Sequence, residues 1–333
     1  MDPIFLLLGS LTREFLLPAA GQPRIDAPGG SLLYAAGGLA VWDRRAGLLA
    51  RVGEDYPRAW LREVEKRGLD VRGVRVQPGT LDVRSFLAYS ESFEASRVSP
   101  VSQFARRGLP FPKALLGYGN RNRVQKGAQK SDPSAPAPQD IPSAYLEARA
   151  AHVCPMNVDN HKQLVEVLRR TINTVTLDPS HTYMHPASRR GLRGLLHGLT
   201  AFLPSFEELQ ALFWGETDDP WEMCAALGEF GCEYVVVKCG ERGQLLYDSV
   251  GKRRWEVPAH PSRLADPTGA GDAFCGGFLV GYLKAYDPLE GVIHGNVSAS
   301  LKVEGVGPFH PLEVMPGLAE ARLRVVREYV REV

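Results

Sequence analysis

From one end of this 333-residue chain to the other, short, largely apolar runs alternate with helical patterns, and that alternation limits what it can fold into. Ile4 to Leu8, Ala46 to Val52, Ala151 to Val153, Thr174 to Leu177, Ala201 to Leu203 and Tyr234 to Lys238 have strand length. They lack the polar alternation of a strand with one wet face, so they read as strands buried on both faces. Between them, Leu32 to Trp42, Pro57 to Lys66, Asn160 to Arg170, Ser188 to Leu196, Ser205 to Phe213 and Pro220 to Phe230 read as helices, several with apolar residues three and four apart. Strand, helix, strand in repetition predicts an α/β fold: a doubly wound, mostly parallel sheet flanked by helices. Leu11 to Leu17 and Val83 to Tyr89 are strand-like without a partner helix, which predicts a small separate sheet.

Charge excludes some function classes. With 39 Lys and Arg against 38 Asp and Glu, the net charge is +1, so no basic excess points to nucleic acid or a membrane surface. The apolar run Ile4 to Leu8 has no basic flank and is too short for a leader or a membrane span, so a cytoplasmic protein is expected. The five cysteines form no CxxC spacing, which predicts reduced core thiols rather than a zinc site. Although the length would allow two domains, α/β folds commonly run this long as one, and a single domain over 1–333 is expected. Gly117 to Pro142 contains almost no large apolar side chain and reads as a mobile insertion, dispensable for folding.

The chemistry concentrates in Ala265 to Gly281, ADPTGAGDAFCGGFLVG. Gly269, Ala270 and Gly271 are small enough for a ligand to approach the backbone, and a helix follows with Phe274, Phe278 and Tyr282 four residues apart. Amides at such a helix start form an anion site, reinforced by the helix dipole. Asp272 lies within that start. It either caps the helix or faces a bound phosphate, and the second role suits phosphoryl transfer: the amides stabilise the transferred group while the Asp takes a proton from an acceptor hydroxyl.

DPTGAGDAF resembles the C-terminal signature of the ribokinase-like (PfkB) carbohydrate kinases. Gly29-Gly30, RVGEDYPRAWLREVEKRGLDVRGV, VVVKCGERGQLLYD and GNVSASLKVEGVGP are similar to further segments of that family. The resemblance implies a kinase that uses ATP and Mg2+, and in some members K+, to phosphorylate a hydroxyl of a small sugar, polyol or nucleoside. The small sheet is then a β lid, here strands within about 11–28 and 80–98, and if it is exposed it could pair with its twin in a homodimer.

Residue by residue, the resemblance makes Asp272 the catalytic base and the amides of Gly269, Ala270, Gly271 and Asp272 the anion hole. Lys238, Gly240 and Gly243 would lie near the nucleotide phosphates, with Asn296 and Ser300 near the base. A solvated strand end is the alternative for Lys238, and a helix-surface role for Asn296. Asp266 matches a position that helps bind a monovalent cation, or else begins the turn before Pro267. Ser205-Phe206-Glu207-Glu208 replaces the family's Asn-x-x-Glu, whose Glu organises magnesium through water; the same four residues also spell a capping box.

On the acceptor side Glu14, Gly30, Ser31 and Tyr34 stand where the family grips its substrate, with two typical hydroxyl-binding side chains changed. Glu14 would hold a diol, and Ser31 or Tyr34 would donate a hydrogen bond unless Tyr34 packs in the core. Arg97 is expected to be exposed near the pocket. The altered pocket favours a nucleoside or another polyol over ribose or fructose 6-phosphate, and leaves open a non-catalytic nucleotide or metabolite sensor that retains the fold. A dinucleotide-binding oxidoreductase would need GxGxxG after the first strand, which Gly9-Ser10-Leu11-Thr12 does not supply.

Overall fold

In the computed structural model of the chain, which describes residues 2–119 and 132–333, the six apolar runs lie side by side in one sheet. The strands in chain order are β1 (Phe5–Leu8), β2 (Thr12–Leu17), β3 (Arg24–Gly29), β4 (Ala46–Gly53), β5 (Asp70–Gln77), β6 (Arg84–Tyr89) and β7 (Ala95–Ser96). They continue with β8 (Ala150–Val153), β9 (Thr174–Leu177), β10 (Ala201–Phe202), β11 (Tyr234–Lys238), β12 (Gln244–Asp248), β13 (Arg254–Val257) and β14 (Arg331–Glu332). The main sheet runs β14-β13-β12-β11-β10-β9-β8-β1-β4-β5. From β5 to β11 neighbouring strands pair in parallel; β11 to β14 pair antiparallel.

The helices are α1 (Ser31–Ala40), α2 (Arg58–Lys66), α3 (Pro100–Arg106), α4 (Val158–Leu168), α5 (Arg189–Leu196), α6 (Phe206–Leu212), α7 (Pro220–Gly228), α8 (Ala270–Ala285), α9 (Pro288–Lys302) and α10 (Leu318–Glu328). Side chains of β1 divide between two cores. Leu6 and Leu8 join α4 to α7 on one face, whereas Phe5 and Leu7 join α1, α2 and α8 on the other. Helices α8, α9 and α10 extend that second layer over β10 to β13. A helix layer on each face is why the parallel strands are apolar on both sides. None of the described helices is long and apolar enough to cross a membrane.

The second sheet, in order β3-β2-β6-β7, covers the two strand-like stretches that lacked partner helices. One face buries Phe15, Leu17, Phe86 and Ala88 against Phe104 of α3 and Leu115. The other carries Leu16, Leu87 and Tyr89 and packs on Val306. The cysteines are free thiols, four of them buried and Cys239 half-buried.

The expected mobile insertion needs correction over its second part. Residues 120–131 lie outside the described residues, but Ser134, Ala135, Ala137 and Asp140 are buried. Asp140 Oδ2 accepts from Arg51 Nε at 2.6 Å and from the Ala137 amide at 2.8 Å, and Asn160 donates to the Pro136 carbonyl. Polar anchors replaced the missing apolar ones, which is why hydrophobicity alone did not reveal them. Asp140→Ala leaves the half-buried Arg51 guanidinium and the Ala137 amide without their partner, so thermal unfolding should show a loss of about 1–3 kcal/mol. A melting temperature unchanged from the parent would show that this anchor carries no stability.

Candidate active site

The carboxyl ends of the parallel strands deliver charge to one place, as expected where an open α/β sheet builds its crevice. Asp178 follows β9, Ser205 follows β10 and Lys238 ends β11. Lys238 Nζ lies 2.5 Å from Asp178 Oδ2, and Cys275 Sγ of α8 sits 3.5 Å from the same oxygen. Burial pushes the Asp178 carboxyl up to about 6, with Lys238 opposing the rise. Burial also works against the Lys238 ammonium, but Asp178 more than restores it and raises it above the ordinary lysine value.

The start of α8 closes the other side. Gly269 adopts φ +72°, and a Cβ there would stand 2.1 Å from Tyr34 Cγ, so the turn lies flat on the Tyr34 ring. Asp266 Oδ1 holds the turn by accepting from the Thr268 amide at 3.0 Å and its hydroxyl at 2.6 Å. The Ala270 amide donates to the Pro267 carbonyl at 3.1 Å and is thereby withdrawn from the expected anion hole. Among the described residues no backbone acceptor takes the amides of Gly269, Gly271 and Asp272. Open space lies over Gly271, where a Cβ would only touch Lys238 Nζ at 3.6 Å. Helix α8 starts at Gly269 without a side-chain cap, so Asp272, at the third helical position, does not cap it. No donor among the described residues reaches its carboxylate. Burial, then Asp178, pushes that carboxyl up to about 7, against the pull of Lys238.

From these amides a cavity of ≈ 420 Å³ extends outwards, polar at Lys238, Ala270 and Gly271 and apolar at Leu264, Phe274 and Val303. Gly240 lines it. Gly243 does not: at φ +95°, with a Cβ that would meet the Val257 carbonyl at 2.1 Å, it turns the chain between β11 and β12. Asn296 and Ser300 border the cavity, but their polar atoms are already engaged. Asn296 Nδ2 donates to Gln244 Oε1 and to the Pro258 carbonyl, and its Oδ1 accepts from the His260 amide. Ser300 donates to the Val297 carbonyl and accepts from Arg322. Asn296 is buried, not on a helix surface, and the pair shapes the cavity wall without a free polar group to offer.

The capping box forms: Ser205 Oγ accepts from the Glu208 amide at 3.2 Å, and Glu208 Oε2 accepts from the Ser205 amide at 2.9 Å. Glu208 also faces the centre, where its charge raises the Asp178 and Asp272 carboxyls. The capping role is therefore observed, in a side chain whose charge is also felt at the centre of the site. Among the described residues no three or more His, Cys, Asp or Glu are grouped to hold a metal ion by themselves.

On the acceptor side the structure changes the expected roles. Tyr34 donates to both Glu14 oxygens, at 2.9 and 3.0 Å, and Arg24 Nε lies 3.4 Å from Glu14 Oε1. Burial raises the Glu14 carboxyl, with Arg24 opposing. A buried carboxylate engaged by two partners is a strut beneath the pocket and not a free grip for a diol. Gly30, at φ +99°, lets the chain pass the Ser10 carbonyl, and Ser31 Oγ lies 3.4 Å from Ser10 Oγ. From the small sheet, Tyr89 places its hydroxyl 3.3 Å from Thr268 Oγ1. Arg97 is exposed, as expected, and its positive charge is nevertheless felt at the Asp272 carboxyl.

Asp266 is committed within the protein: its Oδ2 lies 3.1 Å from Lys302 Nζ, and both side chains are 0% exposed. Asp178, Lys302, Tyr89 and Cys275 were missed by sequence reasoning. Asp178 had a usable signal, an acid directly after a buried strand; Lys302, the one Lys or Arg of its helix, had another.

Comparison with known proteins identifies the family and the fold. The family model for pfkB family carbohydrate kinases matches residues 122–315. The chain is 27% identical over 286 residues to a cytidine kinase of Thermococcus kodakarensis, covering 86% of this chain and 90% of that one. The crystal structure of a Vibrio cholerae fructokinase double mutant, bound to fructose, ADP and potassium ion, superposes with a TM-score of 0.69 at 20% identity, covering 97% and 99% of the two chains. A Burkholderia thailandensis nucleoside kinase in complex with inosine does so at 0.68 and 18%, covering 98% and 99%. With its doubly wound sheet, its Gly-rich helix start and a family match over more than half its length, the chain belongs to the pfkB family of carbohydrate kinases.

Proposed function

We propose that this kinase transfers the γ-phosphoryl group of ATP to a hydroxymethyl group of a nucleoside, with Asp272 as the general base. The observation that carries the chemistry is the pairing, in one helical turn, of the uncommitted Gly271 and Asp272 amides with a carboxylate that caps nothing. Phosphoryl transfer needs charge stabilisation on the moving group and a proton acceptor for the attacking hydroxyl, and this turn offers both. The cavity beside it suits a nucleotide, with the base against Leu264, Phe274 and Val303 and the phosphates towards Lys238. The acceptor would lie on the Ser31 and Tyr89 side, where the hydroxyl is presented to Asp272 and the proton passes to its carboxylate as the phosphorus–oxygen bond forms.

The nucleoside assignment draws support from the engagement of Glu14 with Tyr34 and Arg24, which removes a sugar-gripping carboxylate, and from the similarity to a cytidine kinase along most of the chain. Mg2+ bound to the nucleotide would neutralise phosphate charge, and Glu208 offers the hard oxygen donor that such an ion accepts, directly or through water. ATP-dependent phosphorylation of a panel of nucleosides, sugars and polyols, followed as ADP release, tests the assignment. Nucleosides should give the highest kcat/KM; turnover confined to sugars would contradict the acceptor, and no turnover with any acceptor would favour the sensor reading.

The charges around Asp272 predict a pH dependence. A base works only when ionised, and its carboxyl is pushed up to about 7, so kcat/KM should rise with pH to a plateau above neutrality. A profile flat from acid through neutral pH would contradict the base. Glu208 raises that same carboxyl, so Glu208→Gln should move the midpoint to lower pH and weaken the response to magnesium. A glutamine oxygen still accepts from the Ser205 amide, so the melting temperature should hold. An unmoved midpoint with an unchanged magnesium response would leave Glu208 only its cap.

A further inference from the structure

The Lys302 ammonium sits under the turn that leads into α8, and its three N–H bonds meet three oxygens. They are the Asp266 carbonyl at 3.1 Å, Asp266 Oδ2 at 3.1 Å and the Gly305 carbonyl at 2.9 Å. Three acceptors match the donor count of a charged ammonium; a neutral amine has one N–H fewer. The Tyr34 ring lies 5.5 Å from Nζ and offers a π face. Lys302 is also the last residue of α9, where the helix dipole favours a cation. On the far side, Asp266 Oδ1 holds the Thr268 amide and hydroxyl, so one carboxylate joins the ammonium to the turn that carries Gly269 and the anion site.

We infer that Lys302 is a tethered monovalent cation: its ammonium fills the position beneath the phosphoryl-binding turn that a free cation would take, and it makes this kinase independent of K+. A second cation there would meet the ammonium across Asp266 with no free carboxylate oxygen to bind. Lys302 is 0% exposed and does not line the cavity, so it acts as a positioning residue through Asp266 and the turn. The inference rests on the reading of that turn as the phosphoryl site. Melting temperatures in different salts, however, report on the cation position without any catalytic turnover.

The test compares KCl, NaCl, CsCl and tetramethylammonium chloride at equal ionic strength. For the parent, melting temperature and kcat should be the same in all four, within about 1 °C and about twofold. Lys302→Ala removes the ammonium and opens space beside Asp266. It should melt several degrees lower in tetramethylammonium and recover in K+, with kcat following the same order. Because that variant leaves a buried carboxylate unpaired and could fail to fold, Lys302→Met combined with Asp266→Asn removes both charges and keeps the volume. This double variant should fold and melt independently of the salt, with kcat lowered about tenfold or more and KM for the acceptor nearly unchanged. A parent whose melting point or rate climbs with K+ but not with tetramethylammonium would overturn the inference. So would a folded Lys302→Ala that responds to no cation, or a double variant with the parent's kcat.

Discussion

A carboxylate and an ammonium with no exposed side-chain surface, Asp266 and Lys302, join the end of one core helix to the start of another. Withdrawing two charges from water is costly, and such a pair is seldom a source of net stability; removing one partner alone costs about 3–5 kcal/mol. What the pair provides here is position. Lys302 ends α9, Asp266 begins the turn into α8, and Tyr34 of α1 lies against both the ammonium and Gly269. Through the Tyr34 hydroxyl the arrangement reaches Glu14 and Arg24, so the floor of the acceptor side and the back of the anion site form one connected polar network. Each member has a partner, which is the condition for keeping charge inside a core.

Around that support, the sheet brings together groups of opposite sign. Asp178, Lys238, Glu208 and Asp272 come from four separate elements and act on one another's ionisation. Burial is the main reason why the Asp178 and Asp272 carboxyls both rise, and one ammonium among three carboxylates leaves an excess of negative charge that adds to it. A carboxyl raised towards neutrality is a better proton acceptor than an ordinary Asp while still ionised in part at physiological pH. The magnesium that arrives with ATP in such chemistry would meet this negative excess.

The parts of the fold that the sequence revealed are those with a strong period. Strands buried on both faces appear as largely apolar runs, and all six sit next to one another in the sheet. Strand β5 escaped notice because it is an edge strand with Arg72 and Arg75 in it, so its apolar residues alternate weakly. The β12–β13 hairpin was hidden by its antiparallel pairing, which needs no helix between strands. Residues 132–142 were read as free because their anchors are a buried ion pair and amide bonds, which composition does not show. At the site, the Gly-rich helix start could be read because backbone geometry and small residues coincide there. The partners of Glu14, Asp266, Asn296 and Ser300 could not, because each bonds to a residue distant in sequence, and only the fold decides whether a polar side chain is offered to a ligand or spent on the protein.

The central claim is that the Asp272 carboxylate removes the acceptor's proton, and single-turnover phosphorylation by purified Asp272→Asn tests it most directly. Asn keeps the shape, leaves the Gly271 and Asp272 amides in place and should bind ATP as the parent does. The rate should fall by roughly 10²–10⁴, with residual transfer supported by positioning and charge neutralisation alone. A single-turnover rate within a few-fold of the parent, in a variant shown to fold and bind ATP, would contradict the account.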